Sequence, residues 1–439
     1  MFIDFKPLQT ALHDIPASRR FGRVTSVDTA AIRIGGLSVH AHVGDQVSIT
    51  KSGNIRISGE VIALEKTHVL VMLYGPSDGI AIGDLAELNG TNGIRPSGTW
   101  VGRVIDAFGN ALDGRPLYYG EKIVPLRRSP PEAASRRTLG SRLNTSLAVF
   151  NTVLPIAQGQ RIGIFAGSGV GKSSLLAEMA RGLDCDIVVI ALIGERGREL
   201  KEFTDHVLGP EGMKRAVIIA ATSDQSPLVK RRAAWMAMAV AEYFRDQGKH
   251  VLLLMDSITR FAEAHREVAL TAGEAPSLRA FPPSTANLIA SLAERAGPGS
   301  EGFGDITAIF SVLVAGSDME EPIADITRGV LDGHIILDRE IAESGRFPAI
   351  DITRSVSRCL PASATPEENA TIGTAKKMLS IYEKAVPMIH TGLYVKGSSE
   401  EIDEAIAFYP KLEQFFSRNS PETISESFRL LTDVLAPSG

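Results

Sequence analysis

The run Ala166-Gly167-Ser168-Gly169-Val170-Gly171-Lys172-Ser173 has the residue types and spacing of a polyphosphate cradle. Gly167, Gly169 and Gly171 allow backbone N–H groups to turn inward, with Ser168, Val170 and Ser174 completing the loop. The N-terminus of a following helix adds its partial positive charge. In such a P-loop, Lys172 reaches the β- and γ-phosphates and the Ser173 hydroxyl sits on Mg²⁺, which implies a nucleoside triphosphate with Mg²⁺ as the bound species. The context agrees: Arg161-Ile162-Gly163-Ile164-Phe165 reads as a buried strand, and Ser174-Leu175-Leu176-Ala177-Glu178-Met179-Ala180 as a helix. Ala166 stands where the pattern usually begins with Gly.

Two further strand ends carry acids. Val251-Leu252-Leu253-Leu254-Met255-Asp256 is an apolar run closing on a carboxylate. An acid at the C-terminal end of a buried parallel strand faces the ligand crevice, so Asp256 is expected to hold Mg²⁺ through water. Ile193-Gly194-Glu195-Arg196-Gly197-Arg198-Glu199 follows another apolar run. Hydrolysis needs a group that orients and deprotonates water. Glu195 is the candidate base, Arg196 a contact to the γ-phosphate, and Glu199 support for the metal shell.

The elements that must position these residues follow from patterning. The 439 residues suggest about three domains. The division expected is 1–92, an N-terminal arm and small β-barrel; 93–360, an α/β P-loop nucleotide-binding domain with a mostly parallel sheet; and 361–439, a helical domain. Residues 1–18 space Phe5, Leu8, Leu12 and Ile15 as one face of a short helix. From Phe21 to Leu88, short alternating runs suggest barrel strands, with Ile32-Arg33-Ile34 and Leu37-Ser38-Val39 flanking a Gly35-Gly36 hairpin. His40 and His42 would share one strand face as surface or packing residues. Residues 115–140 read as a solvated linker bearing Arg127-Arg128 and Arg136-Arg137, with contact to an anion or an acidic neighbour as the alternative for these pairs. Strands at Ile187–Ile193, Ala216–Ala221, Val251–Met255 and Ile306–Val314 then alternate with helices such as Lys230–Arg245 and Ser284–Ala296. Trp235, Met236 and Met238 read as packing residues. After Pro361, helices are expected at Thr365–Lys384, Ser399–Tyr409, Lys411–Arg418 and Ile424–Leu435.

Composition narrows the classes. A hydrophobic fraction of 44%, a charged fraction of 22% and a net charge of −5 are those of a globular protein with no global field to recruit nucleic acid. Two cysteines exclude a disulfide framework and suit a reducing compartment. The N-terminus shows no basic-then-apolar signal segment, so a cytoplasmic location is expected.

Pro348-Ala349-Ile350-Asp351-Ile352-Thr353-Arg354-Ser355-Val356-Ser357-Arg358 resembles the signature of the rotary ATP synthase α/β superfamily. Together with the P-loop and Gly194-Glu195-Arg196-Gly197-Arg198-Glu199, the chain is similar to the type III protein-export ATPases, the flagellar ones in particular. Asp256-Ser257-Ile258-Thr259-Arg260-Phe261-Ala262, Phe281-Pro282-Pro283-Ser284 and Asp332-Gly333-His334-Ile335-Ile336-Leu337 carry the likeness further. The resemblance implies a homohexameric ring that couples ATP hydrolysis to docking, unfolding or release of export substrates and their chaperones. It implies that Arg358 is an arginine finger for the neighbouring subunit's site and that Phe347 stacks on adenine. It further implies a stator-like negative regulator on the N-terminal arm, a coiled-coil stalk in the ring centre, and peripheral attachment at an export gate on the inner membrane. Thr145–Asn151 departs from the family's run before the P-loop, which bears on subunit contacts. An injectisome export ATPase shares all of this chemistry. A non-catalytic ring subunit should lack Glu195. A nucleic-acid motor needs a barrel with stacking aromatics, and residues 21–90 hold only Phe21 and Tyr74.

Overall fold

The computed structural model describes residues 18–51, 53–90, 93–277, 280–314, 319–418 and 423–436. The expected arm helix lies outside the described residues except for Ser18.

Short alternating segments form six antiparallel strands: β1 (Arg20–Val27), β2 (Ile32–Gly35), β3 (Gln46–Lys51), β4 (Ile55–Leu64), β5 (His68–Leu73) and β6 (Leu85–Gly90). They pair in the order β1-β2-β5-β4-β3-β6, and β6 closes on β1 with Arg20 opposite Leu88. Val24, Ile34, Val47, Ile49, Val61 and Val69 fill the interior. The Gly35-Gly36 hairpin is not formed, because β2 pairs with β1 and β5 instead. Leu37 is buried in the barrel core, and its carbonyl accepts the His40 and Ala41 N–H groups. Core capture of Leu37 thus turns residues 38–40 out of any strand. His40 and His42 share no strand face, and the His42 N–H donates to the Asp45 carboxylate at 2.8 Å.

The larger sheet contains β7 (Arg103–Ile105), β8 (Arg161–Ala166), β9 (Ile187–Glu195), β10 (Ala216–Thr222), β11 (Val251–Asp256), β12 (Gly297–Pro298), β13 (Asp305–Leu313), β14 (Gly333–Leu337) and β15 (Ile350–Ser357). Its order is β15-β14-β8-β13-β11-β9-β10-β7, with β12 pairing β13. Along that order all neighbours from β7 to β14 are parallel, whereas β12 runs antiparallel to β13 and β15 antiparallel to β14. Both faces are covered, as the unbroken apolar runs require. Val189, Ala191 and Ile193 of β9 pack with helices α2 (Pro227–Arg245), α3 (Ile258–Thr271) and α4 (Ser284–Ala293). Val188, Ile190 and Leu192 join the opposite core, which includes α1 (Lys172–Gly182) and the C-terminal helices. Met236 and Met238 are fully buried in α2.

The C-terminal helices are α5 (Pro366–His390), α6 (Glu400–Phe416) and α7 (Ile424–Val434). The two helices expected on either side of Pro410 are one helix, and α5 likewise continues through Pro387. A proline inside a helix costs about 3 kcal/mol. Burying a large apolar side chain contributes about 1.5–3 kcal/mol. Phe408, Leu412, Phe415 and Phe416 are all buried on α6, so continuing the helix wins.

The linker is largely exposed, yet its basic pairs meet acidic neighbours. Arg127 donates to Glu60 of the barrel at 3.1 Å and covers the Trp235 ring at 4.2 Å. Arg128 reaches Asp246 at 2.7 Å, and Arg137 reaches Asp305 at 2.6 Å. Arg231 of α2 joins Glu60 at 3.0 Å, so one buried carboxylate ties barrel, linker and sheet domain together. Among the described residues no helix is long and apolar enough to cross a membrane.

Candidate active site

The C-terminal ends of β8, β9, β11 and β13 meet at one edge of the sheet. A chain leaving β8 there must turn sharply into α1, and Gly169 (φ +79°) and Gly171 (φ +85°) supply the left-handed conformations that the turn needs. Gly167 to Ser174 line a cleft of about 1140 Å³ together with Glu195, Arg196 and Glu199.

Asp256 is buried and Lys172 is largely so, and Lys172 Nζ is in contact with Asp256 Oδ1. β13 lies between β8 and β11, and its Ser311 hydroxyl donates to the same carboxylate oxygen at 2.6 Å. A buried ammonium needs a paired anion. Asp256 is that anion for Lys172.

β9 ends in a register irregularity opposite Ala221 and Thr222, with Gly194 at φ +75°. A side chain at Gly194 would meet Arg260 Cγ at 3.2 Å. This bend leads into Glu195 at the cleft. Burial pushes the Glu195 carboxyl up to about 7; the Asp256 charge and contact with Glu199 add to the rise, and Lys172 opposes it. Arg196 is exposed and lies 3.7 Å from Glu199. Phe347 packs beside the P-loop, since a Cβ on Gly171 would stand 3.2 Å from its Cδ1 and Cε1 atoms. Its ring is otherwise half-exposed.

Arg358 is placed elsewhere. β15 runs against β14, so its C-terminal residue emerges at the opposite edge of the sheet. The Arg358 N–H donates to Asp332 O at 3.0 Å, and the guanidinium donates to Leu331 O at 3.1 Å. Asp332 in turn pairs with Arg161 at the start of β8.

Ser223, Thr259, Arg260, Glu263, Glu321 and Arg339 also line the cleft. Arg260 was legible in principle, because it lies in the first turn after the Asp256 strand end. Glu321 and Arg339 carry no local signal; they arrive through the positions of β13 and β14.

A model of the ATP synthase alpha/beta family nucleotide-binding domain matches residues 146–357, and one of the T3SS EscN ATPase C-terminal domain matches residues 364–432. The flagellum-specific ATP synthase of Caulobacter vibrioides is 42% identical over 439 residues, covering 98% of this chain and 99% of that protein. The chain belongs to the flagellum-specific ATPases of the ATP synthase α/β family. The Bacillus subtilis flagellum-specific ATP synthase is 42% identical over 422 residues, covering 95% of each chain. The assembled ATPase EscN from the enteropathogenic E. coli type III secretion system superimposes with a TM-score of 0.86 at 35% identity, covering 94% of this chain and all of that one. EscN in complex with its central stalk EscO gives 0.85 at 35% identity over the same shares of the two chains. This family member is therefore an ATPase with a nucleotide as its substrate, and its architecture is that of EscN.

Proposed function

We propose that this ATPase turns over Mg²⁺-ATP in a homohexameric ring to drive or assist flagellar type III protein export. The observation that carries the reading is the convergence of Lys172, Asp256 and Glu195 at one cleft in a chain that matches flagellum-specific relatives along its length. The P-loop amides and Lys172 bind the phosphates. Glu195 orients a water and takes its proton, Glu199 supports the metal shell, and Arg196 faces the γ-phosphate. Phe347 offers a ring face to adenine.

The donor set suits Mg²⁺: a buried carboxylate at Asp256, fixed by Ser311, and the Ser173 hydroxyl on the cleft wall. When bound, the ion would neutralise charge on the β- and γ-phosphates. Lys172 would then exchange Asp256 for phosphate.

By likeness to EscN, described as assembled and with a central stalk, the ring would hold a stalk protein in its centre. A stator-like regulator on residues 1–18, export chaperones and substrates, and the export gate at the cytoplasmic face of the inner membrane complete the proposed partners. Culture-supernatant proteomics of a strain whose only copy carries Lys172→Ala tests the reading. Loss of hook and filament proteins with other secretion intact is expected. Loss of injected effectors alone would assign the protein to an injectisome, and no change in either set would overturn export.

A further inference from the structure

We infer that Arg346 is a positioning residue for the adenine-stacking ring, and that Glu413 of the C-terminal helices holds it in place. The inference rests on the reading of Phe347 as the adenine stack. Phe347 lies on the short connection between the helix Arg339–Glu343 and β15, seated beside Gly171. A connection of this kind on the surface is a mobile element unless something ties it down. Arg346, the preceding residue, does so. Its side chain is only 8% exposed, and its Nε lies 2.9 Å from Glu413 Oε2 on α6. One terminal nitrogen donates to Ile350 O at 2.8 Å, which closes the connection on itself. The Arg346 N–H adds a bond to Ile341 O at 3.3 Å.

The anchor is thus in the helical bundle, not in the sheet that carries the P-loop. Glu413 is itself in a constrained setting. Tyr382 of α5 and Tyr409 of α6 stack at 3.7 Å one turn away, and Glu383 of α5 accepts from Thr353 of β15 at 2.9 Å. Two acids from the bundle therefore clamp both ends of the Phe347–Thr353 stretch. A planar guanidinium making contacts in two directions fixes orientation in a way that a point charge does not. Because binding couplings are reciprocal, a ligand that shifts α6 would alter ATP affinity through the same pair.

The test compares steady-state turnover of ATP and UTP by the full-length ATPase and its Glu413→Gln, Arg346→Lys and Phe347→Ala variants. Glu413→Gln is isosteric; Arg346→Lys keeps the charge and gives up the fork. Every base stacks on an aromatic face, a purine more strongly than a pyrimidine, and loss of the stack corresponds to about tenfold or more in affinity. Both positioning variants should raise the KM for ATP about tenfold, leave kcat within about twofold, and raise the KM for UTP by less, so that the preference for ATP narrows. The double variant Arg346→Lys/Glu413→Gln should be no worse than either single. A merely structural pair would lower thermal stability without changing the ATP-to-UTP preference. If both positioning variants keep that preference while Phe347→Ala loses it, the positioning role is overturned and the stacking role stands. If Phe347→Ala itself keeps it, the stacking reading fails and this one with it.

Discussion

Arg358 offers the sharpest test of how the site is assembled. It is bonded to Asp332, which is bonded to Arg161 at the start of β8, whereas the phosphate cradle begins at Gly167 beyond the end of that strand. At about 3.3 Å per residue, the run from Arg161 to Gly167 separates the two by roughly 20 Å. An arginine cannot span that gap, so Arg358 serves a neighbouring subunit's cleft or none. Removing an arginine finger lowers kcat by ~10³–10⁵, or about 4–7 kcal/mol of transition-state stabilisation. Arg358→Ala and Lys172→Ala should therefore each be nearly inactive alone. Mixed in equal amounts and assembled into rings, they should recover activity. About one interface in four then pairs an intact Lys172 with an intact Arg358, so phosphate release should return to about a quarter of wild type. The assay is phosphate release from rings of native mass, with each variant alone as the baseline. Mixed rings of native mass with no turnover above that baseline would refute the geometric reasoning.

Glu195→Gln should lower kcat by about 10²–10⁴ while a fluorescent-nucleotide titration shows binding within a few-fold of wild type; turnover within about threefold of wild type would remove Glu195 as the base. Glu242 and Arg295 form a fully buried bidentate pair at 2.8 and 2.9 Å, so Glu242→Ala should cost about 3–5 kcal/mol in urea unfolding, and far less if Arg295→Met is added. Burial, with Arg231 and Arg127 close by, pushes the His265 imidazole down to about 4, below its ordinary 6.5. The unfolded chain then takes up the proton first. Stability carried by neutral His265 is present above pH 6.5 and is lost as the pH falls from there towards 4. His265→Gln should flatten the pH dependence of unfolding across that window, and an unchanged slope would exclude the residue as its source.

The chemistry was legible where it depends on neighbours in the chain. The glycines, Lys172 and Ser173 work through one local turn, and strand-end acids such as Asp256 and Glu195 follow from an apolar run that stops at a charge. The α/β alternation was legible for the same reason, because both faces of each strand must be buried. What failed locally was decided by burial at a distance. Leu37 dropped into the barrel core instead of pairing across Gly35-Gly36, and α6 ran through Pro410 because four large apolar side chains were buried by doing so. The arrangement of the site in space belongs to this second class. Ser311 meets Asp256 because β13 inserts between β8 and β11, Arg346 meets Glu413 because the helical bundle folds back on the sheet, and Arg358 faces away because β15 runs antiparallel. Residue types and short spacings determine which chemistry is available. Strand order and direction determine which groups share a cleft, since those depend on long-range pairing that no local pattern encodes.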